Sequence, residues 1–206
     1  LNESHENFTV VSAPSMSLNW NNKEAVDAVT HVMTQFGVPS SVDSTSGGLV
    51  IWKKDRLLNT CIDRIEVRDE AIPHTAPQFH NDCVYVFVSY DVSPIKFMEV
   101  TSISGSVMYD PLKKQLRVRC NTVEACIATL ALCVQVGEGA LSLNYVQSNE
   151  LFPQYIFASQ DSDQYIKLRD LLCYTLEHQQ GTVLSEGEWP LSSNKVDLPL
   201  PRNLFP

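Results

Sequence analysis

One local pattern occurs twice in this chain and limits the folds open to it. Alternating apolar residues lead into an Asn-x-x-Glu helix start, a helix and a glycine stop at Met16–Gly37. The same order recurs at Leu116–Gly137, 100 residues on. Between residues 21–37 and 121–137 six positions are identical (Asn, Glu, Ala, Ala, Gln, Gly), where average composition gives about one. Internal repetition favours a symmetric scaffold over a one-off catalytic centre.

The periodicities predict an α+β fold, with three helices on one side of an antiparallel-rich sheet of five to seven strands. The two strand-helix units are expected to pack about a pseudo-two-fold axis. Strands are read at Met16–Trp20, Leu49–Lys53, Cys61–Arg68 and Cys83–Tyr90, with a hairpin of Val100–Tyr109 and Gln115–Cys120. Arg64, Glu66 and Arg68 alternate with Ile65 and Val67, so a charged face should see water or a partner. Cys83–Tyr90 is apolar on both faces, as a central strand is. Tyr155–Ala158 reads as a further short strand.

The first helix is expected to start at a capping box of Asn21 and Glu24 and to bury Val26, Val29, Met33 and Phe36. Gly37 supplies its stop, and Pro39 forbids continuation. The second, Thr122–Val136, is apolar around most of its circumference, so it lies in the middle of the fold or meets another subunit. A third spans about Ser162–His178, capped by Asp161 and ended by Gly181.

Three regions are delimited: an N-terminal arm over 1–14, a single domain over 15–181, and a Pro-containing arm over 182–206. The C-terminal arm keeps Trp189, Leu198, Leu200, Leu204 and Phe205, more large apolar groups than a disordered tail retains. These five residues are the expected interface, docked on the domain or on a neighbouring subunit.

The formal net charge of -9 argues against nucleic acid or an anionic membrane as partner, because both select for Lys and Arg. The one basic cluster, Lys113, Lys114, Arg117 and Arg119, falls on the predicted hairpin. A solvated turn is the plain reading, since phosphate binding wants a larger basic stripe. No apolar run approaches the roughly 20 residues that span a bilayer. The six cysteines lack the spacing of a small stapled domain. They are expected as buried free thiols in a reducing, intracellular compartment, organellar if a targeting segment precedes Leu1. Asn2-Glu3-Ser4 and Asn7-Phe8-Thr9 match glycosylation acceptors and point the other way.

The densest polar group is Glu70–Cys83, read as a loop between strands. His74, His80 and Asp82 are a candidate metal set, because imidazole and carboxylate suit zinc or iron. Their spacing fits neither a helical zinc pair nor a strand pair on one face. The competing reading is a Pro-braced connection whose histidines satisfy local carbonyls. Cys83 beside His80 makes a poor nucleophile, since it opens an apolar strand and a reactive thiolate needs an accessible, positive setting. No phosphate loop, dinucleotide fingerprint, paired zinc cysteines or EF-hand loop is present.

The sequence thus favours a soluble, acidic, non-enzymatic structural protein that self-assembles or joins a larger assembly, with no cofactor and with protein subunits as partners. The alternative is a small-molecule binder or metal-assisted enzyme using the 70–82 loop.

Overall fold

The computed structural model describes residues 16–75 and 77–178. Their fold is α+β, built on one antiparallel sheet. Its strands are β1 (Ser41–Val42), β2 (Leu49–Lys53), β3 (Arg64–His74), β4 (His80–Ser89), β5 (Val107–Asp110) and β6 (Gln115–Cys120), in the order β1-β2-β3-β4-β6-β5. β4 is central and buried along most of its length. Val84, Val86 and Val88 of β4 join Ile65, Val67, Leu116 and Val118 of its neighbours in the core. On β2, Val50 and Trp52 are buried and alternate with the more exposed Leu49, Ile51 and Lys53.

Six helices are present among the described residues, against the three expected. They are α1 (Lys23–Phe36), α2 (Phe97–Thr101), α3 (Val123–Gly137), α4 (Leu143–Ser148), α5 (Leu151–Ala158) and α6 (Ser162–Glu177). α3 packs against β4 and β6 on the sheet and against α2, α5 and α6. Ile127, Leu130 and Val134 are therefore fully covered within one molecule. The all-round apolar helix lies in the middle of the fold and offers no subunit interface. Hydrophobic burial alone accounts for its composition, since no side of it faces water.

The pseudo-repeat is not confirmed. The second unit is a strand followed by a helix, but residues 16–20 before α1 form no strand. They alternate between half-buried and exposed, as read. Trp20 is held instead by its indole N–H, which donates to the Asp43 carbonyl at 3.0 Å. Asn22, not Asn21, caps α1, accepting from the Glu24 amide, and Thr122 caps α3. Residues 155–158, expected as a strand, belong to α5. Its Pro153 lies in the first turn, where a missing N–H costs no hydrogen bond. Val100 likewise belongs to α2 rather than to a strand.

The cysteines divide. Cys83, Cys120, Cys126 and Cys133 are buried free thiols, as expected. Cys61 and Cys173 instead form a disulfide that ties the segment before β3 to α6 across 112 residues. Sequence spacing could not show this, because the pair meets only through tertiary packing. Disulfides persist chiefly in oxidising compartments, so the pair weighs against a reducing setting. Among the described residues no helix is long and apolar enough to cross a membrane. The N-terminal arm and the arm residues Trp189, Leu198, Leu200, Leu204 and Phe205 lie outside the described residues.

Candidate functional site

The 70–83 segment is a hairpin rather than a loop. β3 runs to His74 and β4 starts at His80, with residues 75–79 connecting them. Ile72 pairs with Asp82, Pro73 with Asn81 and His74 with His80, after a register shift between Val67 and Ile72. Pro73 is tolerated because β2 pairs only with Arg64–Arg68, so the other side of β3 needs no donor there.

This hairpin assembles the three candidates. His80 and Asp82 are two apart on one strand, which aims both at the same face. His74 is the cross-strand partner of His80, close enough for side chains to meet. The two rings lie edge to face with centroids 5.0 Å apart. The donor atoms of His74, His80 and Asp82 all lie within 4.8 Å of one another. The three residues do share one face, contrary to the sequence expectation, because the strands extend farther than the polar composition suggests.

Asp82 is the centre of the cluster and is 0% exposed. Its Oδ2 accepts from the Ser106 hydroxyl at 3.0 Å and lies 3.2 Å from Arg119 Nε. Its Oδ1 accepts no hydrogen bond, although His80 Nε2 stands 3.0 Å away and His74 Nδ1 3.8 Å away. A buried carboxylate oxygen with no donor is costly unless a cation meets it.

His80 sharpens the point. Its Nδ1 lies 2.8 Å from the Gln78 carbonyl, which can only accept, so Nδ1 carries the hydrogen. A ring with that single hydrogen presents a bare Nε2 to Asp82 Oδ1. Two lone pairs 3.0 Å apart repel unless a proton or a metal ion lies between them. Fixing one imidazole nitrogen on a carbonyl so that the other can bind metal is a recurrent feature of zinc sites. Burial outweighs the attraction of Asp82 and holds the His74 pKa below its ordinary value. The separations of 3.0 and 3.8 Å bracket the edge of about 3.3 Å of a tetrahedron built on ~2.0–2.1 Å bonds to zinc.

Ser106, Arg119 and Cys120 complete the surroundings and were not singled out as partners of this group by the sequence. Cys120 Sγ is 3.4 Å from His80 Nε2. Burial pushes its thiol up to about 12. Cysteine and carboxylate thus face the same ring nitrogen of His80, so a relay in which Asp82 activates a Cys–His pair cannot operate. Cys83 is buried with its pKa likewise pushed up to about 12 by burial, which agrees with its rejection as a nucleophile. Contacts such as Ser106–Asp82 join β4 to the turn before β5 and leave no local signature. The one readable cue is His80-Asn81-Asp82, with a second histidine across a turn.

No protein-family model, curated protein or solved structure matches this chain.

Proposed function

We propose that this chain binds a divalent transition-metal ion, zinc or ferrous iron by its donor set, through His74, His80 and Asp82. The orphaned Oδ1 of the buried Asp82 carries the reading. Ser106 donates to Oδ2 and the Arg119 guanidinium stands beside it as an ion-pair partner, while Oδ1 lies toward the two imidazoles. Two histidines and one carboxylate suit both metals. Three protein ligands leave at least one coordination position for water or a ligand, as catalytic rather than structural sites do. The competing reading is a buried ion-pair network in which His80 carries a second proton.

Zinc titration of chelator-treated protein by calorimetry tests the proposal. One equivalent is expected to bind wild type, and His74→Ala and His80→Ala are each expected to weaken it at least about tenfold, comparable to losses on removing supporting groups at such sites. Absence of stoichiometric zinc or iron binding, or unchanged affinity in both variants, rejects it.

Self-assembly as a structural subunit rests on residues beyond those described. Native mass with and without residues 182–206 tests that reading directly.

A further inference from the structure

The basic cluster read as a solvated hairpin turn acquires a partner in the tertiary structure. Arg64 pairs with Phe87, Phe87 with Arg117, and Arg117 with Met108, so one row crosses β3, β4, β6 and β5. Phe87 and the neighbouring Tyr85 are buried but lie outside the main core cluster. Their cover is guanidinium: Arg64 stacks on Phe87 at 4.0 Å and Arg68 on Tyr85 at 4.2 Å, with Arg117 reaching toward both rings. Beside this row, Arg64, Lys113 and Arg117 border a groove of about 380 Å³ walled by Phe87, Met108 and Tyr109. That volume falls within the range of small-molecule sites.

We propose that this groove holds the phosphoryl group of a small molecule with an apolar or aromatic body. The cations around the groove outnumber its carboxylates. Glu66 is shared between Arg64, at 3.0 Å, and Arg68, at 2.6 Å. Arg117 has no carboxylate within ion-pair distance among the described residues. The groove's own acid, Asp110, is engaged by the Leu112 and Lys113 amides and by the Lys113 ammonium at 3.4 Å. Burial, reinforced by the Arg68 charge, lowers the Arg117 pKa, the mark of a cation that lacks compensation. In a chain of net charge -9, Arg64, Lys113 and Arg117 border one cleft, and Arg117 is the one with no carboxylate partner among the described residues.

A phosphoryl group matches this set better than a carboxylate. It brings nearly two charges and three strong acceptors, and an arginine fork binds it bidentately. The lysine supplies a mobile third contact, and the aromatic and thioether walls suit an apolar substituent. The groove is separate from the His74–His80–Asp82 cluster and does not depend on it.

Phenyl phosphate and inorganic phosphate, titrated at constant ionic strength and followed by the arginine Nε–H signals in NMR, test the proposal. Saturable binding of phenyl phosphate with a dissociation constant near or below about 1 mM, shifting Arg117, is expected. Inorganic phosphate should bind more weakly. Arg117→Lys, which keeps the charge and the packing stem but loses the fork, should weaken phenyl phosphate at least about tenfold. Arg169→Met, on α6, should leave it unchanged. No saturable shift at Arg117, wild-type affinity in Arg117→Lys, or an equal loss in Arg169→Met overturns the proposal.

Discussion

His74 and His80 face each other across the β3–β4 hairpin as ladder partners, with their rings edge to face at 5.0 Å. A metal ion between them would bind only the folded hairpin, so binding must appear as stability. At zinc concentrations 100 times the dissociation constant the gain is ~2.7 kcal/mol. For a domain of this size that is a rise in melting temperature of about 5–10 °C. The rise should fall by about half or more in His74→Ala and in His80→Ala at the same zinc concentration, and thermal melts with and without zinc read it out. An equal rise in either variant places the ion elsewhere.

Cys61 and Cys173 close a loop of 112 residues. In the chain-entropy account a loop near this length contributes up to ~4.7 kcal/mol, and typical bridges contribute 2–4. The Cys61→Ser/Cys173→Ser double variant should therefore melt well below wild type, by roughly 4–16 °C. Thiol titration of the unfolded, non-reduced protein should find four free thiols, Cys83, Cys120, Cys126 and Cys133, rather than six. Six would show that the bridge does not form.

Gly137 ends α3 against Tyr90. A Cβ there would lie 2.0 Å from the Tyr90 hydroxyl. Tyr90 is buried and donates to Glu138 at 2.9 Å, so it cannot swing aside freely. By helix propensity alone Gly137→Ala would stabilise by up to ~1 kcal/mol. Overpacking of ~1–3 kcal/mol acts in the opposite direction. The expected outcome is a lower denaturant midpoint with unchanged slope, and a raised midpoint would refute the close approach.

His31 on α1 and Glu124 on α3 pair at 2.5 Å, with Gln35 bonded to both. The Glu124 hydrogen bond raises the His31 pKa above 6.5 despite burial. Burial pushes the Glu124 carboxyl up, but the hydrogen bonds from His31, its own amide and Gln35 prevail and hold it below 4.5. The nearby Tyr165 hydroxyl donates to Gln35, and Arg169 borders the same groove. The histidine's contribution is complete below about pH 6.5 and fades as pH rises through its raised pKa. The carboxylate's is complete above about pH 4.5 and fades as pH falls through its lowered one. The pair should contribute most between those limits. Since His31 is half exposed, the gain is a few tenths of a kcal/mol to about 1. His31→Ala should thus cost more at pH 5.5 than at pH 8.5 in urea unfolding. A constant cost would exclude the pair as its source.

Much of the secondary structure was legible because period and capping act locally. β2 is read as a strand from its short apolar run, Asp161 caps α6 as expected, and β4 shows itself as central by being apolar on both faces from Cys83 onward. The misreadings fall where local chemistry is ambiguous. Residues 16–20 alternate like a strand but form none, and Tyr155–Ala158, as apolar as a strand, belongs to a helix that begins at Leu151 with Pro153 in its first turn. At the site the sequence supplied all three donors, His74, His80 and Asp82, but their polar neighbours disguised the strand ends that align them.

By itself, the sequence determined the fold class, the all-round apolar character of α3 and the set of side chains that could hold a metal. These follow from periodicity and residue chemistry, which a chain carries before it folds. Only the tertiary structure decided that β3 and β4 register His74 against His80, and that Ser106 donates to one oxygen of Asp82, with Arg119 beside it, while the other is left without a donor. It also decided that Cys61 reaches Cys173 and that Arg64 joins Arg117 around one groove. The physical reason is the same in each case. Most of these contacts join residues far apart along the chain, and even the near pair His74–His80 depends on a strand register that sheet pairing and packing fix only when the core forms.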